Sequence, residues 1–172
     1  MIRMIKAQQE ILEKVKEIKK TVSGGVAFFD ALDREIIETV SVETILSLFS
    51  LVPKEHFLVL SGGFGKNVAS KIESGELPQL PYYLFNGGIR SGKKPEMIGR
   101  KHVLGKNYSR GILLDDSIYG GATYEALKGI FTGIQKLGKC AVIYDGCPIR
   151  KDDIQSIFRY YDHFQATPNF KF

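Results

Sequence analysis

The sequence has 172 residues, 44% hydrophobic and 25% charged, with a net charge of +5. That length and balance fit one soluble domain with a sizeable core, and the longest strongly apolar stretch, Ile45 to Val52, is far too short to cross a bilayer. The excess of positive charge is compatible with a plain solvated surface, with an anionic ligand or with a nucleic acid.

Met4, Ile5, Ile11, Leu12, Val15 and Ile18 recur at helical spacing, with Lys and Glu between them, which predicts an amphipathic helix over Met4 to Lys20. Thr21 to Gly25 breaks it. Val26 to Asp30, VAFFD, predicts a short strand that Leu32 to Glu35 turn into a second strand at Ile36 to Val40. Ser41 is placed to cap a helix running to about Leu51, and Pro53 ends it. Phe57 to Leu60 is a continuous apolar run and predicts a buried strand. Gly62 to Gly65 then form a glycine-rich loop before a helix over Lys66 to Glu73. Tyr82 to Phe85 predicts another strand. Asn86 to Arg110 holds five glycines and seven Lys or Arg residues with few apolar anchors, so a long mobile loop is expected there. Gly111 to Leu114 predicts a buried strand, Thr123 to Leu137 a helix, Ala141 to Tyr144 a strand and Asp152 to Tyr161 a last helix, with an irregular tail, ATPNFKF. Strand, loop and helix repeated in this way predict an α/β fold, a parallel sheet flanked by helices in one domain. Ligands of such sheets bind at the carboxyl ends of the strands.

The chemistry concentrates at one such end, in Ile112 to Thr123, ILLDDSIYGGAT. Asp115 and Asp116 close an apolar strand, and carboxylates accept hydrogen bonds from vicinal ribose hydroxyls and bind Mg²⁺ directly or through its waters. Gly120, Gly121 and Ala122 let backbone N–H groups converge on an anion, and Thr123 caps the following helix or bonds a phosphate oxygen. The segment thus has a carboxylate end for hydroxyls and a backbone end for a phosphate. Two rival motifs fail: a Walker A loop needs glycine where Leu60 stands, and a dinucleotide fingerprint starting at Gly63 needs glycine where Val68 stands. Cys140 and Cys147 do not form a CxxC pair, and His56, His102 and His163 are scattered, so a protein-only zinc site is not expected. The polar N-terminus, MIRMIKAQQE, lacks the apolar core of a signal peptide, which predicts a cytoplasmic protein.

LLDDSIYGGAT resembles the phosphoribosyl pyrophosphate (PRPP) motif of the type I phosphoribosyltransferases. LSGGFG (Leu60 to Gly65) is similar to the family's pyrophosphate loop. VSGGVAFFD (Val22 to Asp30) is similar to the N-terminal hood of the orotate enzymes, and RSGKKPEMIGRKHVLG (Arg90 to Gly105) to their mobile basic loop. The resemblance runs over roughly Thr21 to Arg150. It implies a small N-terminal hood within residues 1–40 and a core over 41–172. It implies a Mg²⁺-dependent enzyme of nucleotide biosynthesis that joins orotate, or another pyrimidine or purine base, to ribose 5-phosphate and releases pyrophosphate. Asp115 and Asp116 would hold the ribose and, through it or water, the metal; Ser117 and Tyr119 to Thr123 would wrap the 5-phosphate. Ser61, Gly62, Gly63, Arg90 and Lys94 would meet the pyrophosphate, with Lys93 and Lys94 acting in catalysis and Arg100 and Lys101 as further candidates. Phe28 or Phe29 would stack on the base. A homodimer is implied, because in the orotate enzymes the basic loop reaches into the partner subunit's site. Three positions depart from the pattern. Tyr119 opens the phosphate loop where the family has Thr, Asp or Ala; Arg90-Ser91 replaces Arg-Lys; and Asp145-Gly146 replaces Asp-Arg, leaving Arg150 as the nearest arginine for an orotate carboxylate. Two other readings remain: a non-catalytic PRPP- or nucleotide-binding regulator that contacts nucleic acid, for which no helix-turn-helix or RNA-binding signature is found, and base exchange or hydrolysis on the same fold.

Overall fold

In the computed structural model, residues 1–22 and 25–164 are described. The proposed irregular tail and the Ser23-Gly24 turn lie outside the described residues. Helix α1 (Ile2–Thr21) buries Ala7, Ile11 and Val15, the stripe its spacing predicts. Helix α3 (Val42–Phe49) starts as expected at Ser41, whose Oγ accepts the Thr44 N–H at 3.2 Å. Glu10 of α1 ties the two helices together by accepting from Ser41 N (3.1 Å) and Ser41 Oγ (2.7 Å).

The core is a six-stranded sheet in the order β3-β2-β1-β4-β5-β6. Its strands are β1 (His56–Ser61), β2 (Tyr82–Phe85), β3 (Met97–Lys101), β4 (Arg110–Ile118), β5 (Lys136–Asp145) and β6 (Ile154–Arg159). All neighbours pair in parallel except β2 and β3. From β1 the chain winds outward through β2 to β3, then returns to lay β4 on the other side of β1. The strand order therefore reverses between β1 and β4, and the crevice outside their carboxyl ends is where such sheets receive ligands. Helix α4 (Gly62–Glu73) follows β1 directly, and the short α5 (Ala122–Lys128) follows β4.

Four expectations are corrected. The hairpin over Val26 to Val40 is one helix, α2 (Gly25–Thr39), which buries Phe28, Phe29, Leu32 and Ile36. Phe28, Leu32 and Ile36 recur every four residues, so a helix gathers them on one stripe against the sheet, which two short strands would not do. The helix expected over Thr123 to Leu137 stops at Lys128. Gly129 ends it, Ile130 and Ile134 lie in solvent, and β5 begins at Lys136. The helix expected over Asp152 to Tyr161 is, over Ile154 to Arg159, the edge strand β6, which parallel pairing with β5 holds in place. The basic segment Asn86 to Arg110 is only partly loop, because β3 lies antiparallel on β2. Backbone pairing rather than burial orders it: Met97 and Ile98 are half-exposed. Asn86 clamps its entry, donating from Nδ2 to Lys94 O (3.1 Å) while Oδ1 accepts the Glu96 N–H (2.7 Å).

Candidate functional site

Above the carboxyl ends of β1 and β4 lies a cleft of about 490 Å³. Its walls are the acidic pair, the Ser61–Gly63 turn, the Asn86–Arg90 segment and the polar face of α2. A second hollow of about 440 Å³ lies over Tyr119 to Tyr124 and Phe29. Asp30, Arg90, Asp115, Ser117 and Thr123 line both, so the two form one bipartite site.

The structure brings the two glycine segments and the acids together. Ser61 ends β1, and Gly62 and Gly63 are already the first turn of α4, whose unpaired N–H groups point toward the cleft end of the helix. Asp115 and Asp116 are still within β4 rather than in a turn, and their side chains alternate about the strand. Asp115 Oδ1 accepts the Asp116 N–H at 2.9 Å. Asp116 is only 8% exposed. Burial, then the neighbouring charges of Asp115 and Asp33, hold its carboxyl well above the usual range. Burial likewise pushes Asp115 up to about 6. Gly121 takes the left-handed conformation (φ 82°) that opens α5. The ammonium of Lys151 lies 3.9 Å from where a Cβ at Gly121 would stand, so a cation sits beside the glycine loop.

The pattern-breaking Tyr119 has a structural explanation. Its ring lies 4.1 Å from Phe29 and 5.8 Å from Tyr144, and its hydroxyl donates to Asp33 Oδ1 at 2.9 Å. Ser117 Oγ donates to the same oxygen at 2.6 Å, and Arg90 reaches Asp33 Oδ2 at 3.1 Å and Asp30 at 3.6 Å. Asp33 is therefore the knot that ties α2 and the Arg90 turn to the motif strand. Burial raises its pKa, against the pull of Ser117, Tyr119 and Arg90.

Other expected site residues fall elsewhere. Phe28 is fully buried against Phe29 and Tyr160 and has no face for a base; Phe29 is 5% exposed and borders the second hollow. Helix geometry turns both rings inward, where the strand expected there would have sent them to opposite sides. Lys93 and Lys94 are exposed and do not line the cleft. Lys101 pairs with Glu73 at 3.4 Å, and Arg150 grips Asp162 at 2.7 and 2.9 Å. Sequence reasoning missed Asp30, Asp33, Arg34, Asn86 and Lys151. Reading Val26 to Val40 at helical period would have put Asp30, Asp33, Arg34 and Ile37 on one polar-to-apolar border.

Among solved structures, the chain is similar to a phosphoribosyltransferase from Corynebacterium diphtheriae, at 15% identity and a TM-score of 0.54 over 91% of this chain and 98% of that one. The fold is that of a phosphoribosyltransferase. A purine phosphoribosyltransferase from Pyrococcus horikoshii Ot3 also matches, at 18% identity and a TM-score of 0.43 over 69% of this chain and 79% of that one. So does a hypoxanthine-guanine phosphoribosyltransferase from Bacillus anthracis, at 17% identity and a TM-score of 0.41 over 91% and 80%. No family model and no curated protein matches the sequence. Among the described residues, no helix is long and apolar enough to cross a membrane.

On this phosphoribosyltransferase fold the turn after β5 braces the glycine loop. Gly146 N–H donates to Ile118 O (2.9 Å), and the Cys147 thiol to Tyr119 O (2.7 Å). A Cβ at Gly146 would lie 2.6 Å from the Tyr119 ring and 3.1 Å from that of Tyr144. Gly146→Ala is therefore expected to destabilise the fold by ~1–3 kcal/mol through overpacking. It should also displace the Tyr119 hydroxyl from Asp33. Thermal denaturation checks the first effect, and a change in near-ultraviolet tyrosine dichroism the second.

Proposed function

We propose that the cleft binds PRPP and that the protein transfers its phosphoribosyl group to a nitrogen base with release of pyrophosphate. The observation that carries this reading is the convergence, at the reversal point of the sheet, of Asp115 and Asp116 with two glycine turns on either side of them. In this reading the acids take the ribose hydroxyls, the Tyr119–Thr123 loop with Lys151 takes the 5-phosphate, and Ser61–Gly63 with Arg34 takes the pyrophosphate. The type I family and the sugar-phosphate substrate rest on the motif resemblance together with the fold.

Mg²⁺ fits these residues. Among the described residues, no group of three His, Cys, Asp or Glu side chains is placed to hold a metal. Asp115 and Asp116 are nonetheless buried acids that a cation would relieve, and they would hold it through water or the ribose. Bound there, Mg²⁺ would supply neutralisation of the diphosphate charge. The protein's own part is positioning and electrostatics: it holds ribose C1 between the base and the leaving pyrophosphate, and N–H groups and Arg34 receive the charge that builds as the C1–O bond breaks. Lys93 and Lys94 stand off their own cleft, which suits a basic segment serving a second copy in a homodimer.

A pyrophosphate-release assay with PRPP, Mg²⁺ and a panel of purine and pyrimidine bases tests the reading. Base-dependent release that disappears with EDTA is expected. Saturable PRPP binding without release for any base would instead leave a regulatory sugar-phosphate receptor.

A further inference from the structure

The base that completes the reaction is not identified by the acid pair or the glycine loops, but the remaining wall of the cleft constrains its chemistry. With the 5-phosphate at Tyr119–Thr123, the ribose at Asp115 and Asp116 and the pyrophosphate at Ser61–Gly63, the face left for the base is that of α2, which presents Asp30 and Asp33. A carboxylate offers about four acceptor positions. In Asp33, Oδ1 takes Ser117 and Tyr119, and Oδ2 takes Arg90, so one position on Oδ2 remains. The Asp30 carboxylate lies beside it, 3.6 Å from the same Arg90.

The cations that a carboxylate-bearing base would need are committed elsewhere. Arg90 is held by the two aspartates. Arg150 is bidentate on Asp162. Arg159 is held by Asp145, Asp162 and the carbonyls of Cys147 and Pro148. Arg34 stands one turn before Ile37, which packs beside Gly63 at the pyrophosphate end of the cleft.

Building on the phosphoribosyl-transfer reading, we infer that Asp33 is a specificity-determining residue: its open Oδ2 accepts an N–H from the acceptor base. The enzyme therefore takes a neutral heterocycle that presents an N–H or amino donor and rejects one carrying its own carboxylate. With one guanidinium against two carboxylates, the Asp30–Asp33–Arg90 group carries a net negative charge, and a ligand carboxylate about 6 Å from it, at an effective dielectric constant near 20, is disfavoured on the order of 100-fold. Orotate and nicotinate fall on the rejected side; purines and aminopyrimidines on the accepted side.

The test is steady-state pyrophosphate release by the intact protein with PRPP, Mg²⁺ and hypoxanthine, guanine, adenine, cytosine, orotate or nicotinate. PRPP binding is measured alongside by calorimetry. At least one neutral base is expected to exceed both carboxylate bases by 100-fold or more in kcat/KM. In Asp33→Asn the amide oxygen still receives Ser117 and Tyr119, while the amide N–H₂ takes the place of Oδ2, removes the acceptor offered to the base and releases Arg90; PRPP affinity is measured in the same variant, so that a loss at the base is read apart from a loss at the sugar phosphate. The advantage of the neutral base should shrink at least tenfold, through KM for the base. Preference for orotate or nicotinate in the wild type, or an unchanged ratio in Asp33→Asn, overturns the assignment of Asp33 while leaving phosphoribosyl transfer intact. Failure of the wild type to bind PRPP overturns both.

Discussion

Asp116→Asn is expected to weaken Mg²⁺-dependent PRPP binding by ~10–100-fold, because a hydrogen bond from a ribose hydroxyl to a charged acceptor contributes about 1.5–3 kcal/mol. The same substitution is expected to stabilise the protein in the absence of ligand. Asp116 is buried beside Asp115 and Asp33, and all three carboxyls are held above their usual range by burial. A carboxyl whose folded pKa is raised binds its proton more tightly in the native state. Its contribution is complete below the unfolded value, near 4, and is lost as pH rises through the folded value, about 6 for Asp115. These acids therefore make the fold less stable at pH 8 than at pH 5. Asparagine at 116 removes one charge from the cluster, and the melting temperature at pH 8 should rise by ~2–8 °C, with a shallower fall between pH 5 and 8. A gain in stability coupled to a loss of affinity marks a site whose charges are arranged for a ligand rather than for the fold. If Asp116→Asn lowers the melting temperature at pH 8, the pair is part of the scaffold.

Phe28→Ala is expected to cost about 3–5 kcal/mol of stability, which lowers the melting temperature by ~6–20 °C in a chain of this size. Phe28 is fully buried, 5.4 Å from the Phe29 ring and 6.3 Å from that of Tyr160, and anchors α2 on the sheet. Its removal should leave KM for the base nearly unchanged in the protein that remains folded, measured below the lowered transition. An intact melting temperature with a raised KM for the base would return Phe28 to the binding surface that the strand reading gave it.

The two fates of the phenylalanines show where the sequence speaks and where it falls silent. β1 and the motif strand are legible because each is a continuous apolar run that ends in polar or glycine residues, a pattern set by burial on both faces of a parallel sheet. The acid pair and glycine loop are legible for the same reason: their chemistry is local, compressed into Asp115 to Thr123. Helix α2 was hidden because VAFFD and IIETV carry the β-branched and aromatic residues of strands. What makes the segment helical is the four-residue recurrence of Phe28, Leu32 and Ile36 and the sheet on which they pack. Asp33 was hidden more deeply. Its partners Arg90, Ser117 and Tyr119 lie 57, 84 and 86 residues away, so its role exists only after folding. Tyr119, a misfit when compared with the motif, becomes intelligible once that carboxylate is beside it. At the other end of the chain β6 shows the same limit. Asp152 to Tyr161 has no clear alternation, and its strand is imposed by parallel pairing with β5.

Whether this cleft receives PRPP is decided by isothermal titration of the wild-type protein with PRPP in the presence and absence of Mg²⁺. A single saturable site per chain that depends on Mg²⁺ is the predicted result, and ribose 5-phosphate should compete for it. No binding of PRPP with Mg²⁺ present would mean that the cleft is not a PRPP site.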